Sequence, residues 1–332
     1  MNDYRTESPA ILRDFLSYHE TVKAHSKRTV DEYYLDLRNF FRYLKQTRDP
    51  DLAGKPLDEI DIMDIDLNFV SNVTLTDIYG YLTYLSRDRV RFQNSQNSDY
   101  GLNAASRARK VATIRSFYNY LTNKMHLLRE NPVKDIDSPK LKKTLPKYLT
   151  LDQSINLLGA VDGKNQERDY AILTLFLNCG LRISELVGLN IKDIQGETLR
   201  VLGKGNKVRI IYLNDACQSA INNYLAVRRP ITGRDASALF LSSRNERISR
   251  SMVHAMVKKR LAQAGIDSTE YSSHKLRHTA ATLMLQNGVD VRAVQEVLGH
   301  DHLNTTEIYT HIDNESLRIA AKANPLSGIK NK

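Results

Sequence analysis

Apolar residues recur at steps of three and four along most of this chain, and at steps of two in one place only. Near the start, Leu12, Phe15, Leu16 and Val22 predict a helix from Ala10 to about Ala24, with Pro9 near its first turn. Ser26 then stands where an N-cap is needed. Behind it Val30, Tyr33, Tyr34, Leu37, Phe40, Phe41 and Leu44 draw an apolar stripe suited to a helical bundle, so these aromatics read as core. The acidic run from Asp49 to Asn72, with Pro50, Gly54 and Pro56, reads as an irregular connection holding one short helix. Helical spacing resumes from Thr76 to Arg89 through Ile78, Tyr81, Leu82 and Leu85. It gives way to the Asn/Ser-rich loop Gln93 to Asn103 and returns from Asn103 to Lys124.

In that last helix Arg107, Arg109, Lys110 and Arg115 flank an apolar stripe of Val111, Ile114, Phe117, Tyr118 and Leu121. One face packs and another is cationic, either as an ordinary solvated face or as one that tracks phosphates. Pro132, Pro139 and Pro146 then bracket the run Lys140-Leu141-Lys142-Lys143, the composition of an extended linker whose lysines can touch a polyanion's backbone. The expectation is a helical domain over 1–131, a linker over 132–147 and a second domain over 148–332.

The second domain opens with a helix from Leu151 to Ala160 behind Thr150, followed by a strongly apolar one from Asn165 to Asn178 that Gly180 ends. The step-two pattern comes next: Thr198 to Leu202 and Val208 to Leu213 alternate around Gly203-Lys204-Gly205-Asn206, a hairpin with Lys204 at its tip. Helices follow over Asp215–Arg229 and Ser249–Gly265, the second bearing Arg250, Lys258, Lys259 and Arg260. Ser273 starts another, which Gly288 stops. A shorter one runs from Asp290 to Gly299, and a third begins at Asn304 with Glu307 in the capping-box position and carries Tyr309. The segment Glu315 to Lys332 begins helical and ends in a polar tail too short to pack alone, expected to dock on a neighbouring molecule.

With 332 residues the chain has room for two domains, and its 41% hydrophobic content is that of a globular protein. No run of about 18 apolar residues and no apolar signal-peptide core follow Met1, which predicts a cytoplasmic protein. The formal net charge of +10 favours a polyanionic partner. Cys179 and Cys217 lie in apolar helical contexts without Cys-x-x-Cys spacing, so they read as core. His300, His302 and His311 lack the spacing of a metal site, and no metal is expected.

The candidate chemistry gathers from distant places. Arg182 and Glu185 are three apart at a helix start, where the carboxylate can orient the guanidinium or form a plain surface pair. His274 and Arg277 are also three apart, and His300 follows the end of the next helix. Lys204, between flexible glycines, is either a side chain that swings into a site or a solvated turn lysine; no P-loop spacing accompanies it. Arg182, Lys204, His274, Arg277, His300 and Tyr309 are the types that metal-free phosphoryl transfer needs. Two guanidiniums grip nonbridging oxygens, a phenol attacks, and histidine or lysine moves the protons.

The Arg182-Ile183-Ser184-Glu185-Leu186 box, the Gly203-Lys204-Gly205 turn, the His274-x-x-Arg277-His278 box, Leu298-Gly299-His300 and the final Tyr309, in that order, resemble a tyrosine recombinase closest in layout to the Xer type. The resemblance covers essentially the whole chain. It implies a mainly α fold with a small antiparallel β-hairpin or sheet, in which an N-terminal core-binding domain and a C-terminal catalytic domain clamp duplex DNA. It also implies roles. Tyr309 attacks the scissile phosphate to form a 3′-phosphotyrosyl link, Arg182 and Arg277 clamp it, and Lys204 is the general acid for the 5′ oxygen. His274 assists as acid/base, His300 hydrogen-bonds the phosphate and Glu185 supports Arg182. No ATP, metal or other cofactor is implied.

Four protomers would synapse two sites through a Holliday junction, as a homotetramer or with a paralogue, and a translocase or directionality factor would be a further partner. The DNA-contacting candidates are Arg107, Arg109, Lys110, Arg115, Lys140, Lys142, Lys143, Arg250, Lys258 and Lys259, with the acidic Asp49–Asn72 stretch facing away from the duplex. Chromosome dimer resolution or a related inversion leads. A mobile-element or phage integrase is the alternative, although no space for an arm-binding domain precedes Ala10. A type IB topoisomerase-like enzyme would relax DNA without recombinant strands, and a regulator without catalysis would form no covalent adduct.

Overall fold

The computed structural model describes residues 3–91, 99–139, 147–203, 207–233, 235–299 and 323–326. The chain divides into two compact units, Met1–Lys143 and Thr144–Lys332. The first is helical: α1 (Tyr4–Glu7), α2 (Ala10–Ser17), α3 (Lys27–Arg48), α4 (Leu67–Ser71), α5 (Leu75–Arg87) and α6 (Ala104–Asn119), with a short antiparallel pair, β1 (Val90–Arg91) and β2 (Asp99–Tyr100), between α5 and α6. The cap expected at Ser26 forms, its hydroxyl accepting from the Thr29 amide, and Asn103, read only as a helix start, proves to be a cap as well, its side chain accepting from the Ser106 amide. The helices expected to run on to Ala24 and Lys124 instead finish in single π turns, Tyr18–Val22 and Tyr120–Lys124.

The α3 stripe is buried as read, from Val30 to Leu44, against Phe15 of α2, Tyr81 of α5 and Phe117 of α6. The acidic connection is better anchored than its composition suggests. Ile60, Ile62, Ile65, Val70 and Val73 are buried, and Arg42 and Lys45 of α3 donate to the carbonyls of Ile60 and Asp61. Val133 and Ile136 also lie in this core, so the first part of the expected 132–147 linker belongs to the N-terminal unit.

One polar residue interrupts the stripe. Asp36 is only 1% exposed, and three side chains of α6 converge on it. Arg109 donates through both terminal nitrogens (2.6 and 3.0 Å), Lys110 Nζ at 2.6 Å and the Thr113 hydroxyl at 3.1 Å. A carboxylate this deep must be paired to remain charged, and here it is paired twice over.

The second unit is built round α8 (Gln166–Cys179), buried from Asp169 onward, which is why its apolar run has no amphipathic period. α7 (Leu151–Gly159), closed at its start by a Thr150/Gln153 capping box, α10 (Asp215–Val227) and α12 (Ser273–Gln286) pack against it. α9 (Ile183–Gly188), α11 (Arg250–Gln263) and α13 (Val291–Leu298) complete the described helices. The expected hairpin is present as β4 (Thr198–Leu202) and β5 (Val208–Tyr212). It gains a third antiparallel strand that sequence reading missed, β3 (Ile194–Gln195), two residues being too short for alternation to show.

Cys179 and Cys217 are buried neighbours with Sγ atoms 3.7 Å apart. Arg260, counted with the cations of α11, points inward onto Asp169 and Asp162. Of the C-terminal tail, residues 323–326 lie on this unit's own core: Leu326 is fully buried and the Asn324 side chain donates to the Leu177 carbonyl. The expected helix from Asn304, and the rest of the tail, lie outside the described residues.

Candidate active site

The site is assembled where α8 and α13 end. Gly180 terminates α8 in the left-handed region (φ +57°), and Gly299 does the same for α13 (φ +63°). A Cβ on Gly180 would come within 2.4 Å of Leu298 Cδ2, so the two helix ends meet at a point only glycine permits. Helix C-termini carry unsatisfied carbonyls and a partial negative charge, and both invite cations.

Arg277, in the second turn of α12, answers that invitation. Its terminal nitrogens donate to the carbonyls of Gly180 and Leu298, each at 2.6 Å. Arg182, the residue before α9, donates to the next carbonyl, that of Gly299, at 2.9 Å. The two guanidiniums, 95 residues apart in sequence, thus hang from consecutive carbonyls immediately before His300.

Glu185 lies between them, 5% exposed. Its Oε2 accepts from the Arg182 amide at 2.8 Å and its Oε1 from Arg182 Nη1 at 2.9 Å, and Oε2 is 3.9 Å from Arg277. Of the two readings left open for the Arg182–Glu185 spacing, the buried orienting pair is the one found. Burial pushes the Glu185 pKa up, but hydrogen bonds from Arg209 and from the Arg182 amide outweigh it and hold the carboxyl below its usual range. Burial, then the neighbouring Arg182 charge, lower the Arg277 pKa to about 10, so Arg277 stays cationic at neutral pH. A guanidinium has five N–H donors, and Arg277 commits two of them among the described residues. The remainder can serve an anion.

His274 stands exposed in the first turn of α12, one turn before Arg277, as their spacing requires. Lys204, His300 and Tyr309 lie outside the described residues. Of the site named from sequence, Arg182, Glu185 and Arg277 are brought into one cluster.

Sequence reading missed Arg209. On β5 it shares a face with buried Ile211, while Ile210 between them is exposed. A charge on the inward face of a strand needs a partner, and that was the available signal. Arg209 forks onto both Glu185 oxygens (2.8 and 2.9 Å) and donates through Nε to the Val297 carbonyl at 3.1 Å.

The candidate DNA contacts sort by burial. Lys110 is buried on Asp36 and cannot reach a partner, and Arg109 is exposed but held bidentately by Asp36 with Glu32 at 3.0 Å. Both were read as cationic surface because their acidic partners lie more than 70 residues away in sequence. Arg107 donates to the Leu102 carbonyl and Arg115 to Ser138, each half-buried. Arg250, Lys258 and Lys259 stand exposed on α11. Lys140, Lys142 and Lys143 lie outside the described residues. Among the described residues no helix is long and apolar enough to cross a membrane.

Residues 147–316 match the model of the phage integrase family. The chain is 50% identical over 320 residues to the tyrosine recombinase XerC of Caldanaerobacter subterraneus subsp. tengcongensis, covering 96% of this chain and 88% of that relative. It is 35% identical over 320 residues to the tyrosine recombinase XerD of Proteus mirabilis, covering 94% and 92%. Among solved structures, the XerH site-specific recombinase bound to its difH substrate, a pre-cleavage complex, resembles it with a TM-score of 0.61 at 22% identity. That likeness covers 93% of this chain and 84% of the other and is one of fold.

Proposed function

This chain belongs to the phage integrase family, and we propose that it is a site-specific recombinase of the Xer type with chromosome dimer resolution as its task. As a tyrosine recombinase it breaks and rejoins DNA strands. The reading of its site rests on one observation above all: Arg182 and Arg277 hang from the consecutive carbonyls of Leu298 and Gly299 with Glu185 between them.

In the proposed reaction Arg182 and Arg277 grip the nonbridging oxygens of one phosphodiester and stabilise the charge that grows there in the transition state. The Tyr309 hydroxyl attacks phosphorus, its proton passing to His274. The bond to the 5′ oxygen breaks and Lys204 protonates that oxygen, while His300 donates to the phosphate. The energy of the diester is kept in the 3′-phosphotyrosyl link, so a 5′-hydroxyl from a second duplex can reverse the step and build a Holliday junction. Four cytoplasmic protomers, alone or with a paralogue, would hold the two duplexes.

The test is covalent capture. The chain is incubated with a random-sequence duplex library, and DNA that stays attached through denaturing electrophoresis is recovered. Wild type is expected to capture DNA, and Tyr309→Phe to bind the recovered duplex without forming an adduct. An adduct with the phenylalanine variant would remove Tyr309 from the role of nucleophile.

A further inference from the structure

We propose that Arg209 is a positioning residue of the phosphate clamp, acting through Glu185 and through the end of α13. This rests on the proposed roles of Arg182 and Arg277. All three guanidinium nitrogens of Arg209 are engaged, two on the Glu185 carboxylate and one on the Val297 carbonyl. Its side chain is 15% exposed. It therefore holds what holds the substrate and does not touch the substrate itself.

Its placement ties three elements together. From β5 it reaches Glu185 on α9, whose carboxylate orients Arg182 and faces Arg277. It also reaches the last turn of α13, whose next two carbonyls carry those same arginines. The guanidinium lies flat against Gly299, where a Cβ would meet its Cδ at 3.0 Å, Nη1 at 3.1 Å and Cζ at 3.2 Å. Without Arg209, Glu185 would keep its pair with Arg182 but lose the fork that fixes its plane, and α13 would lose its bond to the sheet. A lysine could supply charge here but not two parallel bonds.

Arg209 is also five residues beyond Lys204 on the hairpin, so a defect at Arg209 could in principle arise from a displaced general acid. The leaving group separates the two. On a duplex whose scissile 5′ oxygen is replaced by sulfur, departure needs no proton, so a general-acid defect is relieved whereas a clamp defect persists.

The experiment measures single-turnover adduct formation at saturating DNA, using the duplex captured by wild type, with oxygen or sulfur at that position. Arg209→Met is expected to slow adduct formation by about 10–100-fold on both duplexes with little change in DNA affinity, and Arg209→Lys by less. In a Glu185→Gln background, Arg209→Met should cost less than it does alone, because the route through Glu185 is already weakened and only the tie to α13 remains to be lost. The inference is overturned by rates within about twofold of wild type, by relief on the sulfur duplex, or by a full additive loss in the Glu185→Gln background. Loss of the folded state in both Arg209 variants, read from thermal unfolding, would make Arg209 a structural residue and overturn it as well. If wild type captures no DNA, it is the recombinase reading that fails, not this one.

Discussion

Asp36 in the first unit and Glu185 in the second are both buried carboxylates met by cations of distant sequence, and the two clusters have opposite outcomes. Asp36 is met by Arg109, Lys110 and Thr113, all on α6, and its lysine is turned fully inward. Glu185 is met by Arg182, Arg209 and, at 3.9 Å, Arg277, from three different elements. In both the carboxylate is the most deeply buried member, but Glu185 gathers cations that also hang from the carbonyls at the end of α13. The first arrangement satisfies charge and pins one helix to another. The second holds cations at a fixed place while keeping donors free, which is what preorganised electrostatic catalysis requires. Clustered basic residues thus say little about function until it is known from how many elements they come and which of their donors are already committed.

The sharpest way to break the comparison is at Asp36. Asp36→Ala leaves Lys110 buried without a counter-ion, and we expect a loss of ~3–5 kcal/mol in the unfolding of the N-terminal unit, measured by denaturant titration. Adduct formation by the protein that remains folded should be unaffected. Arg277→Ala should do the reverse, lowering single-turnover cleavage by roughly 10²–10³-fold, the effect of losing one preorganised donor. Near-normal cleavage by that variant would contradict the clamp.

A third difference is in acid. His19 is buried beside His25 and Ser116, and burial, followed by the charges of His25 and Lys23, lowers its pKa to about 4. The unfolded chain binds that proton near 6.5, so stability falls as pH drops from 6.5 to about 4, by about 3 kcal/mol in all, and no further below. Glu185, also shifted downward but from a lower start, keeps its stabilisation above its ordinary value of 4.5 and loses it only as pH falls from there through its lower folded value. The N-terminal unit should therefore weaken first on acidification, and His19→Phe should remove that weakness in a pH series of thermal midpoints. The smallest effect is expected from the exposed cations of α11. Lys258→Gln and Lys259→Gln should each weaken DNA binding modestly and lower the slope of log affinity against log salt by about 1. An unchanged slope would place these lysines away from the duplex.

Local signals carried most of the fold. Ser26 caps the helix it was expected to cap, and Asn103, Thr150 and Ser249, read as helix starts, prove to be caps too, because a cap and its amide lie three residues apart. The stripe of α3 and the alternation of β4 and β5 were legible for the same reason. What sequence could not supply was pairing over distance: Lys110 with Asp36, Arg260 with Asp169, Arg209 with Glu185. In each case a charge that reads as solvated surface is claimed by a partner dozens of residues away. Of the candidate site, Arg182, Glu185 and Arg277 were named because motif order carries them, whereas Arg209 sits in a strand whose alternation drew attention to its apolar neighbours.

The end of α13 stands somewhat apart from the rest of its unit. Its apolar side belongs to a small cluster of its own, with Met284, Ala293, Val294, Val297 and Leu298, apart from the unit's large core. Since three successive carbonyls there, from Val297 to Gly299, each carry a different arginine, that turn behaves as a common hinge pin. Nudging it would loosen all three guanidiniums together, so an influence acting on this turn would silence the clamp as a whole and not by degrees.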